Sequence, residues 1–291
     1  MLASRRTIMA DTDSAALRRE IEASDLPAGL VSLWSLGNMG FVLKGARGGP
    51  TLAFDPYLTN AIEVNQPDTE FVRAFAPPLQ PEDLSADAVL VTHEHDDHLD
   101  LVTLGRALAA RPNLTVVVPE ALVETARGAV PRAQVIGARE GVAFDLHGAR
   151  VLPLAAAHPV LERDGQGRSM RLGYLVDLAG VRVFHCGDTV LHEGLVTALA
   201  ALKPDVLIAP INGGDWFRTR RGIVPNMSHR DAVELAAHVR ADLLVAAHFD
   251  LFPNNRERPA FFVDYLYEAH PTQKFHLFAP GERLVYARNE R

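Results

Sequence analysis

Apolar positions recur along this chain at two spacings. Over 14–24, Leu17 and Ile21 stand four residues apart among charged neighbours, which predicts an amphipathic helix. Short apolar runs over 30–36, 41–44 and 51–54 are parted by Gly37-Asn38-Met39-Gly40 and by a glycine turn at 45–50, the pattern of an antiparallel meander. Residues 58–87 are irregular and proline-bearing and read as a surface excursion near a site. Beyond them, Ala88-Val89-Leu90-Val91 reads as a buried strand.

Helices are expected over 99–110, 120–127, 193–202 and 261–268, with one more from Ser228 through Val239. Strands are expected over 115–118, 134–136, 141–146, 149–154, 172–178, 181–185, 205–211, 242–246, 276–278 and 283–286. Strands and helices alternate without a linker or short-period repeat. The pattern predicts an α/β (α+β) chain, with a helical extension over 1–28 and one domain over 29–291. That domain is expected to hold two packed mixed sheets with helices outside.

Composition removes several alternatives. The formal net charge is −7 with no long basic run, so neither a nucleic-acid surface nor an anionic-membrane surface is expected. No apolar stretch approaches the roughly 20 residues of a spanning helix. Met1-Leu2-Ala3-Ser4-Arg5-Arg6 is followed by early acids rather than an apolar region, and no signal or transit peptide is read there. Cys186 is the single cysteine, so no intrachain disulfide or thiolate cage can form, which fits a reducing, cytoplasmic compartment.

Candidate chemistry collects where strands end. The 88–91 run leads into Thr92-His93-Glu94-His95-Asp96-Asp97-His98; His158 follows one later strand, Asp188 another, and His248 a third. Histidines two apart in extended backbone point to one side, whereas Asp97 and His98, expected to start a helix, face elsewhere, so the motif could serve two adjacent metals. A bridging Asp188 would hold such ions roughly 3.5–4 Å apart, a spacing useful for hydrolysis. Nitrogen and carboxylate ligands suit zinc, manganese or iron. His147, His192, His229, His238, His270 and His276 read instead as surface or packing residues, and Asp96 and Asp100 as helix-start carboxylates.

The chain resembles the metallo-β-lactamase superfamily through this H-x-H-x-D-H motif and the His, Asp and His that come after it in order. The resemblance runs from about Leu30 to Tyr286 and implies an αββα fold. It implies that His93, His95 and His158 hold one divalent metal, that Asp97, His98 and His248 hold a second, and that Asp188 bridges them. Asp55 matches the family's early aspartate, which supports the ligands from behind. Leu33-Trp34-Ser35-Leu36-Gly37-Asn38-Met39-Gly40, together with Arg221-Gly222-Ile223 and Met227-Ser228, resembles the L-ascorbate-6-phosphate lactonase branch.

Motif and resemblance together imply a metal-dependent hydrolase in which Asp97 orients the attacking water or passes its proton. The expected substrate is a small anionic molecule, a sugar lactone that is phosphorylated or not. Arg221 is a candidate anion contact, because guanidinium forks suit phosphate and carboxylate. Asn254, in Asn254-Asn255-Arg256 after His248, is a candidate pocket residue. A phosphodiesterase or thioester hydrolase on the same fold stays open, as do a non-catalytic metal-binding protein and self-association into a homo-oligomer.

Overall fold

The computed structural model describes residues 13–288; the Met1–Arg6 reading lies outside them. The strands are β1 (Leu30–Gly37), β2 (Gly40–Lys44), β3 (Thr51–Phe54), β4 (Ala88–Leu90), β5 (Thr115–Pro119), β6 (Gln134–Ala138), β7 (Phe144–Leu146), β8 (Ala149–Ala155), β9 (Leu172–Leu178), β10 (Val181–His185), β11 (Val206–Pro210), β12 (Leu243–Ala247), β13 (Lys274–Leu277) and β14 (Arg283–Ala287). The helices are α1 (Ser14–Ala23), α2 (Ala61–Asn65), α3 (Leu101–Ala110), α4 (Val123–Ala129), α5 (Glu193–Leu202), α6 (Trp216–Arg220), α7 (His229–Val239) and α8 (Pro259–Ala269).

Two seven-stranded sheets form, in the orders β14-β1-β2-β3-β4-β5-β6 and β13-β12-β11-β10-β9-β8-β7. The side-chain period of two explains why they stack. In β1, Val31 and Leu33 face the layer between the sheets, while Trp34 and Leu36 face the helices. In β12, Leu243, Val245 and Ala247 point inward, and Leu244 and Ala246 meet the helical layer. Strands buried on both faces read as continuous apolar runs, as these do. The architecture is the αββα sandwich expected from the sequence.

α1 closes the outer face of the first sheet. Asp13 caps it by accepting from the Ala16 amide, Leu17 and Ile21 are buried in the cluster that holds Trp34, and Trp34 Nε1 donates to Glu20. On the second sheet, α7 begins with a full capping box between Ser228 and Asp231. Among the described residues, no helix is long and apolar enough to cross a membrane.

Two local expectations change. Asp97 and His98 do not start a helix. The amides of His98 and Leu99 both turn back to the His95 carbonyl, and α3 begins only where Asp100 accepts from Val102 and Thr103. The 216–220 stretch, to which the sequence assigns no helix or strand, is a short helix, because Asp215 caps the amides of Phe217 and Arg218.

Candidate metal centre

The strand-end loops converge. His93, His95 and His158 bring ligating atoms within 4.8 Å of one another, as do His93, His98 and Asp188, and Asp97, His98 and His248. His93 Nε2 lies 2.9 Å from His95 Nδ1. Asp188 stands between the two sets: its Oδ2 is 3.1 Å from His248 Nε2 and 3.5 Å from His158 Nε2, and its Oδ1 is 3.5 Å from His98 Nε2. Asp97 Oδ2 is 3.6 Å from His98 Nε2 and 3.9 Å from His248 Nε2. Of these side chains His93, His98, His158, Asp188 and His248 are buried.

The donor set fits divalent metal. His98 Nε2, His248 Nε2 and Asp188 Oδ1 are buried with no hydrogen-bond partner, a costly condition unless a cation takes their lone pairs. Burial keeps His93 uncharged by pushing its pKa well below the usual value, and pushes His158 down to about 4. Burial also opposes charge on His98 and His248, but the surrounding carboxylates, Asp188 foremost, outweigh it and raise both. Asp188 is held well below its usual range: burial raises it, and His248 and His98 more than compensate.

Supporting groups fix which nitrogen of each ring faces inward. Asp55 sits buried in left-handed backbone at φ 40°. It accepts from the Thr92 amide at 2.8 Å, the Thr92 hydroxyl at 2.6 Å and His98 Nδ1 at 2.8 Å. The Thr92 hydroxyl in turn accepts from His93 Nδ1 at 3.0 Å. One carboxylate therefore orients His98 directly and His93 through Thr92. His158 Nδ1 donates to the Pro225 carbonyl. His248 is also left-handed, and its amide donates to the Asn38 carbonyl. Gly187 makes the Asp188 approach feasible, since a Cβ there would lie 2.9 Å from Thr92 Cβ.

Several contributors carry no assigned role in the sequence. Asn38, in the β1–β2 turn, donates its Nδ2 to Asp97 Oδ2 at 3.0 Å and its amide to Asp250. Arg171, at the foot of β9, donates to the His158 carbonyl at 2.6 Å and pairs with Glu94 at 2.5 Å. It thereby ties the segment of His93 and His95 to that of His158. Asn38 lies in a segment that the sequence singles out; a lone arginine before a strand offers no such signal.

The ligands floor a cavity of about 220 Å³ whose walls include Ile62, Phe71, Ile223, Val224, Gln66 and Asn255. Arg221 is absent from that wall, because its guanidinium pairs with Glu70. Asn254 is absent too; its neighbour Asn255 faces the cavity, and both polar atoms of Asn254 are buried without a partner among the described residues. A larger depression of about 650 Å³ lies beside Lys203 and Arg240, at the end of β12 opposite His248 and away from every ligand.

An αββα sandwich with a His/Asp cluster at its strand ends defines a metallohydrolase scaffold. The sequence places the chain more narrowly. Residues 52–249 match the model of the β-lactamase superfamily domain, so this chain belongs to the metallo-β-lactamase superfamily. It is 28% identical over 233 residues to a UPF0173 metal-dependent hydrolase of Archaeoglobus fulgidus, covering 78% of this chain and 87% of that one. A UPF0173 metal-dependent hydrolase of Methanoculleus marisnigri is 27% identical over 252 residues, covering 86% and 94%. Among solved structures, an isothiocyanate hydrolase from Delia radicum gut bacteria superposes with a TM-score of 0.68 at 20% identity, over 88% of this chain and 100% of that one. Igni18, a metallo hydrolase from Ignicoccus hospitalis, superposes at 0.64 and 22%, over 89% and 100%. At these identities the solved structures bear on the fold.

Proposed function

We propose that this chain is a metal-dependent hydrolase that opens small lactones by adding water to the ring carbonyl. One observation carries the reading: unpartnered, buried ligating atoms of His98, His248 and Asp188 sit among His93, His95, His158 and Asp97 at the floor of a small cavity. His93, His95 and His158 would hold one ion and Asp97, His98 and His248 the other, with Asp188 between them. Divalent zinc or manganese, or iron, supplies Lewis acidity and makes water nucleophilic near neutral pH.

The chain's own residues do the rest. Asp97 is more exposed than Asp55 and Asp188, and Asn38 holds one of its oxygens, so the carboxylate stays aimed at the incoming water and takes its proton. Asp55 and Thr92 keep the ligand tautomers in register. The cavity volume is below the roughly 300–1,000 Å³ of drug-sized sites, which favours a small substrate.

Both lactonase-like segments reach this site: the β1–β2 turn places Asn38 on Asp97, and Gly222 and Ile223 form part of the wall. The isothiocyanate hydrolase likeness adds a second small carbon electrophile to assay. The test is turnover by zinc- or manganese-reconstituted protein of L-ascorbate 6-phosphate, uncharged sugar lactones and an isothiocyanate. Lactone opening that is lost with chelator and in His95→Ala is expected. Retained activity in folded His95→Ala would remove the site. Metal-loaded protein that opens no lactone would remove the reaction.

A further inference from the structure

Resting on the lactonase reading, we infer that the cavity selects an uncharged substrate and that the Asn255 side-chain amide holds one of its acceptor oxygens. Apart from Gln66, Asp96 and Asn255, the wall outside the candidate ligands is apolar, through Ile62, Phe71, Ile223 and Val224. Among the described residues, no lysine or arginine lines the cavity, whereas the exposed Asp96 does. Three guanidiniums on the surrounding segments are already engaged, and that of Arg220 lies over the Trp216 ring. Arg221 pairs with Glu70, Arg218 pairs with Asp215 and donates to the Asn212 carbonyl, and Arg73 donates to the carbonyls of Tyr57, Thr59 and Phe75. Arg256, next to Asn255, is exposed and outside the wall. A phosphate on the part of the substrate remote from the metals would enter without a counterion and beside a carboxylate.

The buried polar contact that the wall offers, as distinct from the exposed Gln66, is neutral and held in place. Asn226 Nδ2 donates to Asn212 Oδ1 at 3.1 Å, and Asn212 Nδ2 donates to Asn255 Oδ1 at 3.1 Å. All three amides are buried. Asn255 thus commits its oxygen to Asn212, which leaves its NH2 for the cavity that it lines. A buried donor with a matching acceptor is favourable, and a site built around such a donor rejects ligands that leave it unpaired. Asn255 is the contact; Asn212 is a positioning residue that acts through it.

The experiment uses metal-loaded full chain and two ring probes that resist opening, D-glucono-1,5-lactam and its 6-phosphate, with affinities read by calorimetry. The uncharged lactam is expected to bind about tenfold tighter than the phosphate, and Asn255→Ala to weaken the lactam about tenfold while leaving the phosphate nearly unchanged. Asn255→Asp, similar in shape but without the donor, should lose the lactam likewise. Asn212→Leu should reproduce the selective loss, and Arg256→Ala should leave both affinities as they were. Equal or tighter binding of the phosphate, or equal losses for both probes in Asn255→Ala, overturns the inference and leaves the lactonase reading intact. Failure of both probes to bind metal-loaded protein overturns the two together.

Discussion

Asp55→Asn separates ligand orientation from ligand identity, because it removes no ligand and nearly preserves shape. In the native protein Asp55 Oδ2 receives two donors, the Thr92 hydroxyl at 2.6 Å and His98 Nδ1 at 2.8 Å, while Oδ1 receives the Thr92 amide at 2.8 Å. An asparagine keeps one oxygen for the amide and turns NH2 toward the other two donors. His98 must then present a bare Nδ1, which puts its proton on Nε2, the atom that faces Asp97 and Asp188. The Thr92 hydroxyl, losing its acceptor, no longer holds the His93 tautomer.

Two oriented ligands are disturbed, one in each proposed metal set. Outer hydrogen-bond partners of metal ligands typically contribute 10–100-fold in affinity, so each ion should bind about 10–100-fold more weakly, ~1.4–2.7 kcal/mol per ion. Thr92→Val removes the His93 support and one donor to Asp55 but keeps the Asp55–His98 bond, so its loss should fall mainly on the His93, His95 and His158 ion and be about tenfold. Competition against a chromophoric chelator reads both steps, with circular dichroism confirming the fold. Two metals bound by Asp55→Asn as tightly as by the native chain would refute the orientation argument. So would a Thr92→Val loss shared equally by both ions.

Three further outcomes are expected. Chelation exposes the cost of the unpartnered His98, His248 and Asp188 atoms, so thermal unfolding should drop by about 5–10 °C and recover on adding zinc or manganese, whereas an unchanged midpoint would speak against a metal there. Arg171→Ala cuts the tie between Glu94 and the His158 carbonyl and should weaken the His93, His95 and His158 ion about tenfold, with partial recovery in Arg171→Lys; equal weakening of both ions would contradict that placement. Ile21→Ala should cost about 2–4 kcal/mol in urea unfolding, since Ile21 is the fully buried residue of α1, and a cost below about 1 kcal/mol would mean that the helix is dispensable.

The residues of the candidate metal cluster are legible in the chain because their signal is local: residue types at fixed spacing, each after an apolar run. Side-chain alternation in strands such as β1 and β12 is legible for the same reason. What escapes depends on partners far apart in the chain. Arg221 reads as an anion contact until Glu70 is seen to occupy it, and nothing near Arg221 announces that acid. Asn212 and Asn226 are single asparagines in separate loops and carry no pattern, and the 254–256 segment gives no sign that Asn255 rather than Asn254 lines the cavity. The late start of α3 is hidden because Asp96 and Asp100 look alike as flanking carboxylates, and only Asp100 caps the helix.

The topology explains why these far-apart residues meet where they do. Each sheet runs through three antiparallel pairings and then three parallel ones, so β3 in one sheet corresponds to β10 in the other, and β4 to β11. Asp55 follows β3 and Asp188 follows β10, two carboxylates at matching strand ends with opposite tasks, one behind the ligands and one among them. The motif from His93 to His98 follows β4, and Asn212 follows β11. Crevices outside the carboxyl ends of parallel strands are where open α/β sheets place ligands, because the strands stay fixed while the loops vary. Here one sheet's strand end carries much of the candidate metal cluster, and the matching end of the other begins the amide chain that reaches the cavity wall. Substitutions at Asn212 and Asn255 should therefore change which substrate is accepted while leaving the metal set intact, whereas changes at Asp55 or Thr92 should do the reverse.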